Sequence, residues 1–298
     1  MEKSDIPINE IISRVKHLEI RARKLVEDAL QSEYHSVFKG RGIEFNEVRN
    51  YFPGDDIRDI DWNVTARMGE PFIKTYIEER ELTVIFACDI SGSSFFGSNI
   101  SKRQIMAEVT ALLGFASFFN NDKAGLVLFS TDIEKVVPPA KNHSHLLRII
   151  RDTWHYIPEN RGTDLNKSLT RLNNILKRKT IIFLISDFLD TGYEKPLSGL
   201  SKKHEVIPIV VQDTMEEGIN INLKSALPIL VDIEDIELRE TRTIDLSSHN
   251  KTDIGRFKRY YRLLFSKLSL DFAEINNKMN YYREIELLLR KRAKQRYS

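Results

Sequence analysis

The 298-residue sequence has one cysteine, two tryptophans and little net charge, and it lacks any long apolar run. One thiol cannot form an intrachain disulfide, so a secreted scaffold held together by disulfides is excluded. No stretch approaches the ~18 consecutive apolar residues of a membrane-spanning helix. Residues 1–24 are charged and lack the apolar core of a signal peptide. We therefore expect a cytoplasmic protein with no membrane span.

The net charge of +2 gives no strong field that would favour nucleic acid or an anionic membrane. The charge is uneven, because residues 290–296 (RKRAKQR) are basic whereas residues 231–240 are mostly acidic or neutral. A basic helix end usually complements the helix dipole and aids solubility, and a binding role is the alternative. Apolar and charged contents of 41% and 30% fit a globular protein, which we expect to be monomeric.

The most informative stretch is Thr83–Ser94, TVIFACDISGSS. A fully apolar run ends abruptly in Asp89, Ser91 and Ser93, and such a run is typical of a strand buried on both faces of a parallel sheet. Ligands of open α/β sheets bind at the carboxyl ends of the strands. Carboxylate and hydroxyl oxygens at this edge suit a hard cation such as Mg²⁺.

Two further stretches support this interpretation. Gly162–Leu165 is a loop that opens a helix, and Thr180–Asp190 (TIIFLISDFLD) is a second buried strand that ends in a Ser-Asp pair. Together the three stretches resemble the metal-ion-dependent adhesion site of von Willebrand factor A domains. That pattern has Asp-x-Ser-x-Ser on a first loop, Thr on a second and Asp on a third. The matching positions are Asp89, Ser91, Ser93, Thr163 and Asp187.

The resemblance implies a role for each position. Ser91 and Ser93 would bind Mg²⁺ or another divalent cation directly, while the two aspartates and Thr163 would complete or polarise its coordination shell. With few protein charges on it, the cation would stay electrophilic and would accept a carboxylate from a partner protein. The resemblance thus implies a metal-dependent protein-binding module in which no bond is made or broken.

The segment before this strand, residues 38–80, resembles a second pattern and is called the signature segment below. Its ordered motifs are Gly42-Ile43-Glu44-Phe45, Arg49, Tyr51, Pro53-Gly54-Asp55, Arg58, Ile60-Asp61-Trp62 and Thr65-Ala66-Arg67. These motifs resemble those of the "domain of unknown function 58" family. The following stretch, Pro71–Glu81, alternates like a half-buried strand leading into Thr83. We expect an arginine–carboxylate network to fix a loop here. The candidate residues, with a structural or a partner-binding role, are Arg49, Asp55, Arg58, Asp61, Trp62 and Arg67.

The family resemblance also implies a partner. Its members are similar to proteins encoded beside MoxR-type AAA+ ATPases, which implies an adaptor or co-chaperone that engages the ATPase or its client.

Other sites are weaker candidates. Residues 39–42 (KGRG) read as a flexible loop, because the lysine and Ser/Thr of a phosphate-binding loop are missing. The acids between residues 55 and 61 lack the spacing of a calcium loop. His143, His145 and His155 lack a cysteine partner and the spacing of a zinc site.

Periodicity predicts an N-terminal helix over residues 8–36, followed after the signature segment by strands that alternate with helices. Alternation of this kind is typical of a doubly wound, mostly parallel α/β sheet, Rossmann-like in class and like a von Willebrand factor A domain. We expect Pro208 to place its strand at a sheet margin and residues 270–273 to form a last strand. The predicted boundaries are 1–37, 38–80, 81–250 and 251–298.

Enzymatic motifs are missing from the sequence. Ser91 replaces the second acid of an Asp-x-Asp phosphotransfer motif, and G-x-S-x-G, H-E-x-x-H and phosphate-loop motifs do not occur. Two alternatives stay open: a magnesium-dependent phosphoester hydrolase using Asp89 and Asp187, and a structural scaffold that binds no metal.

Overall fold

The computed structural model describes residues 16–24, 40–80, 82–95, 100–213, 230–235, 240–245, 251–278 and 280–295. Its helices are α1 (16–24), α2 (Trp62–Met68), α3 (Lys102–Phe119), α4 (His143–His155), α5 (Leu165–Ile175), α6 (Glu194–Lys203), α7 (Lys251–Lys267) and α8 (Tyr281–Gln295). Its strands are β1 (Gly40–Asn50), β2 (Phe72–Arg80), β3 (Thr83–Asp89), β4 (Lys123–Phe129), β5 (Ile133–Ala140), β6 (Ile181–Ser186), β7 (Glu205–Gln212), β8 (Leu230–Asp235), β9 (Glu240–Asp245) and β10 (Ala273–Asn276). The rest of the helix predicted over residues 8–36 lies outside the described residues.

A six-stranded sheet in the order β10-β7-β6-β3-β4-β5 forms the centre of the fold. Within it β5 runs antiparallel to β4, and the other neighbouring pairs are parallel. β3 pairs with β4 on one side and β6 on the other, so the apolar run at Val84–Cys88 is buried as the sequence predicted.

Helices cover both faces of this sheet, and successive residues of β3 point to opposite faces. Val84, Phe86 and Cys88 belong to a core formed with α1, α3, α4 and α8, called the α3 face below. Ile85 and Ala87 belong to a second core formed with α5, α6 and α7. The structure therefore confirms the predicted doubly wound, mostly parallel α/β fold.

The signature segment contains a two-stranded sheet in which β1 and β2 pair antiparallel, with α2 in the connection between them. Residues 40–42 belong to β1, so the prediction of a flexible loop there was wrong. The register shifts between Gly40 and Ile43, which marks a bulge. Glycine suits a bulge because it has no side chain to place, and this explains how a glycine-rich stretch enters a strand.

Two predictions about the sheet's margins need correction. β7 is an inner strand between β6 and β10 rather than a margin. β10 pairs only with Ile209–Gln212, so Pro208 lies just outside that ladder, where its missing N–H removes no bond to β10. The last strand begins at Ala273, later than the predicted residues 270–273. β5 is the antiparallel edge strand of the sheet, and it continues through its two prolines to Ala140.

Cys88, the single cysteine, is fully buried on the α3 face, and its Sγ lies 3.7 Å from Thr110 Oγ1. Burial raises the pKa of the Cys88 thiol to about 12, so the reactive thiolate is scarce at neutral pH. We expect no reaction with a thiol reagent such as DTNB in the native protein, and one equivalent after denaturation.

The control for this measurement is Lys177→Cys, which adds a cysteine at an exposed position between α5 and β6. This variant should react at once with one equivalent while native. Rapid labelling of the native unmodified protein would show that the α3 face opens readily, contrary to the packing described here.

Candidate metal site

The candidate site lies at the carboxyl ends of two neighbouring strands. Parallel pairing sets Cys88 of β3 beside Ile185 of β6, so Asp89 and Ser186, the next residues, emerge at the same edge. Asp89 Oδ1 accepts the backbone N–H of Ser91 at 3.0 Å, and Asp89 Oδ2 accepts the hydroxyl of Ser186 at 2.8 Å. The two strand ends are thereby joined through a buried carboxylate.

The third loop adds Asp187 to the same cluster. The hydroxyl of Ser93 donates to Asp187 Oδ2 at 2.8 Å, and the hydroxyl oxygens of Ser91 and Ser93 lie 3.2 Å apart. Asp187 Oδ1 accepts the backbone N–H of Leu189 at 3.2 Å. Four of the five predicted positions are therefore linked by a continuous set of hydrogen bonds.

Thr163, the fifth position, sits on a loop that packs against the first. The backbone N–H of Gly92 donates to the carbonyl of Arg161 at 2.6 Å, and that of Asp164 donates to the carbonyl of Ser130 at 3.3 Å. Asp164 then caps α5 through the N–H of Lys167. These bonds bring the Thr163 loop to the carboxyl edge, where the Thr163 side chain is half-buried.

The backbone after Asp187 turns sharply at a residue with a side chain. Phe188 has a φ of +54°, in the left-handed region that non-glycine residues seldom occupy. Its ring is fully buried among Tyr193, Tyr261 and Phe265, and this packing holds the unfavourable conformation. The turn lets the N–H of Phe188 reach Ser186 Oγ at 3.0 Å, so the aromatic cluster positions the third loop.

Lys102 completes the cluster and was not anticipated from the sequence. Its Nζ lies 2.7 Å from Asp187 Oδ2, and its side chain is 0% exposed. Lys102 and Arg103 are the first two residues of α3, where the helix dipole disfavours positive charge. Their position in the first turn is unfavourable but does not by itself reveal a buried pair, so the sequence carries no decisive signal for Lys102.

Three serines also matter beyond those in the motif. Ser186 holds Asp89 as described, Ser94 donates to the carbonyl of Ser91 at 2.7 Å, and Ser101 caps α3 by accepting the N–H of Gln104 at 3.2 Å. Sequence reasoning missed them because loop serines are common and their bonds depend on the fold.

The surroundings of Asp89 disfavour its charged form. Burial, and then the negative charge of Asp187, raises the pKa of Asp89 to about 6. Hydrogen bonds from Ser91 and Ser186 oppose this shift because they favour the charged form. A bound cation would favour the ionised carboxylate as well.

The donor set fits a hard divalent cation. It offers two carboxylates and two serine hydroxyls at one edge, with the Thr163 loop beside them, and such oxygens suit Mg²⁺ or Mn²⁺. In the described part of the chain no three histidine, cysteine, aspartate or glutamate side chains converge to hold a metal. Any metal site here thus depends on hydroxyls, which leave much of the cation's charge uncompensated.

In the signature segment, fewer of the predicted network residues are bonded than the sequence suggested. The guanidinium of Arg49 donates two bonds of 2.8 Å to Asp55, which lowers the pKa of that carboxyl. Asp61 caps α2 through Asn63 and Val64 and lies 3.5 Å from Lys74 Nζ.

Arg58 and Arg67 are exposed and form no ion pair within the described residues, and Trp62 is 67% exposed. The structure therefore pairs Arg49 with Asp55 and uses Asp61 separately as the cap of α2, while the remaining members face solvent.

Comparison with known proteins decides the family. The family described as "Protein of unknown function DUF58" matches residues 47–259. The chain belongs to the DUF58 family. Among curated relatives, the uncharacterized protein Rv1480 of Mycobacterium tuberculosis is 28% identical over 217 residues. That alignment covers 72% of this chain and 68% of the relative, and the same values hold for the uncharacterized protein Mb1516 of Mycobacterium bovis.

Solved structures give more distant likenesses for this DUF58 chain. BatB from Bacteroides thetaiotaomicron is 15% identical, with a TM-score of 0.47 over 72% of this chain and 99% of that one. A von Willebrand factor type A protein from Catenulispora acidiphila is 12% identical, with a TM-score of 0.35 over 47% and 35%. The six-stranded, mostly parallel sheet with helices on both faces places the DUF58 chain in the α/β class. Within its described residues, no helix has the length and hydropathy to cross a bilayer.

Proposed function

We propose that this DUF58 protein is a non-enzymatic, metal-dependent protein-binding module. Its site at the carboxyl edge of β3 and β6 would hold Mg²⁺ or a similar cation, which binds a carboxylate of a partner. The observation that supports this proposal is the hydrogen-bonded convergence of Ser91, Ser93, Asp89 and Asp187 from loops about a hundred residues apart. Ser91 and Ser93 would bind the cation directly, and Thr163 and the aspartates would complete its shell.

The chemistry of the cluster favours binding over catalysis. A cation held mainly by hydroxyls retains enough charge to attract an external carboxylate. No three histidine, cysteine, aspartate or glutamate side chains among the described residues gather to hold a metal, so the cation would carry few protein charges. The partner we propose is a MoxR-type AAA+ ATPase or its client. Since such an ATPase needs ATP, we place the protein in the cytoplasm.

A second candidate, a scaffold that binds no metal, is favoured by one observation. The ammonium of Lys102 already lies 2.7 Å from Asp187 and supplies a positive charge inside the cluster. On this alternative Lys102 would replace the metal permanently, and the cluster would only brace the three loops.

Metal titration tests the proposal. We expect the EDTA-treated, dialysed protein to bind one Mg²⁺ by isothermal titration calorimetry, and Ser93→Ala to weaken binding at least about tenfold through loss of a ligand. Ser201→Ala is the matched control, because Ser201 is half-buried on α6 and its hydroxyl donates to the carbonyl of Ser198. It should bind Mg²⁺ as the unmodified protein does. Absence of Mg²⁺ and Mn²⁺ binding at millimolar concentrations would reject the metal-dependent function.

The partner is tested separately with a purified MoxR-type ATPase from the same organism. Retention of the ATPase by the immobilised DUF58 protein should require Mg²⁺ and should be lost in EDTA or with Ser93→Ala. Equal retention in every condition would show that the two proteins associate through another surface.

A further inference from the structure

We infer that the ammonium group of Lys102 competes with a divalent cation for Asp187 and thereby sets the metal affinity of the site. This inference rests on the proposed function, since it concerns the same cluster. It adds a regulatory element, a positively charged side chain of the protein that the metal must displace or tolerate.

The geometry of Asp187 is the first argument. Its Oδ2 accepts the Ser93 hydroxyl at 2.8 Å and the Lys102 ammonium at 2.7 Å, and its Oδ1 accepts the N–H of Leu189. Each carboxylate oxygen has about two lone-pair sites, so Oδ2 is fully engaged. A cation that uses this oxygen must take the place of the ammonium or of the Ser93 hydroxyl.

The second argument is burial. The Lys102 side chain is 0% exposed and that of Asp187 is 3% exposed, so water screens their attraction poorly. A lysine buried this deeply is rare unless it is paired, and separation of the pair is costly. The pair therefore stabilises the metal-free cluster specifically, and this stabilisation is lost when a metal takes over Asp187.

The third argument is charge. Asp89 and Asp187 together contribute two negative charges when ionised, and Lys102 cancels one of them. Without Lys102 a divalent cation would meet a more negative cluster, in which Arg103 is a remaining positive group that acts on Asp89. With Lys102 in place it meets a less negative cluster and a positive group beside Asp187, and both lower its affinity.

The test compares metal binding in the intact protein and in Lys102→Met, which removes the charge and keeps an unbranched side chain of similar length. Binding is measured with Mg²⁺ by calorimetry and with Mn²⁺ by the electron paramagnetic resonance signal of the free ion. We expect Lys102→Met to bind either cation at least about tenfold more tightly. We also expect Mg²⁺ to raise its thermal unfolding temperature more than that of the unmodified protein.

The matched control is Lys135→Met. Lys135 Nζ also lies 2.7 Å from a buried aspartate, Asp152, but this pair joins β5 to α4. The metal affinity of the Lys135→Met variant should equal that of the unmodified protein. Lys102→Gln serves as a second charge-removing variant if Lys102→Met fails to fold, and the same increase is expected.

The outcomes separate this inference from the proposed function. Tighter binding by the Lys102 variants supports the inference, and it does so even if the unmodified protein binds no metal, a result that would reject the metal-dependent function alone. Equal affinities in the unmodified protein and the variants would overturn the inference and leave the proposed function intact. If neither binds metal, both are rejected.

Discussion

Asp187→Ala is expected to lower the free energy of unfolding by about 3–5 kcal/mol in the absence of metal. The substitution leaves the ammonium of Lys102 buried without the carboxylate 2.7 Å away, and it removes the acceptor of the Ser93 hydroxyl. A buried charge that loses an ion-pair partner loses attraction that had offset the cost of its removal from water. Urea denaturation in EDTA, followed by circular dichroism, measures the loss.

Two comparisons show whether the lost pair causes this effect. The double variant Asp187→Leu with Lys102→Met replaces both charges by apolar groups and should recover most of the stability, since a buried ion pair adds little over a well-packed apolar one. Asp132→Ala removes a partly exposed carboxylate that pairs with the exposed Lys167 and Arg171, and it should cost under about 1 kcal/mol. A double variant as unstable as Asp187→Ala would show that the carboxylate acts through its other bonds.

Phe86→Ala is expected to destabilise the fold by about 3–5 kcal/mol, the usual cost of emptying a large buried site. Phe86 is fully buried in the central strand, and its ring stacks on that of Phe183 in β6, with centroids 5.7 Å apart and planes 11° apart. Neighbours in the middle of a close-packed sheet cannot collapse far into the cavity. Thermal and urea denaturation should agree on this loss.

The control is Phe52→Ala, which makes the same change at a ring that is 63% exposed. The guanidinium carbon of Arg49 lies 5.5 Å from the centroid of the Phe52 ring. Removal of this exposed ring should therefore lower the free energy of unfolding by under about 1 kcal/mol. Similar losses for the two variants would show that the core around β3 is looser than its burial indicates.

The fold could be predicted because its signals are local. The run Val84–Cys88 is long enough and apolar enough to specify a strand buried on both faces, and the helices that flank the sheet show their buried stripes in sequence. The resemblance of Asp89, Ser91, Ser93, Thr163 and Asp187 to an adhesion-site motif also predicted which loops would meet. That part of the site follows from the rule that parallel strands present their carboxyl ends at one edge.

The remainder depended on packing that no local pattern encodes. Lys102 reads as an ordinary surface cation until α3 is placed beside β6, and the bonds of Ser186 and Ser94 appear only when the loops are folded. Pro208 suggested a margin because the sequence does not show how few residues β10 contributes to its ladder. A metal site predicted from the motif alone therefore omits Lys102, the residue that we infer regulates the site.

The position of β10 has a consequence for biosynthesis. β10 and α8 come last among the described elements. β10 pairs with β7, and α8 fills the α3 face with Ile285, Leu288 and Leu289. A nascent chain leaving the ribosome can assemble β3 to β7 early, yet it exposes the flank of β7 and an apolar surface until translation reaches α8. This fold therefore cannot be completed before α8 has been synthesised, and in that interval β7 is open to pairing with a foreign strand.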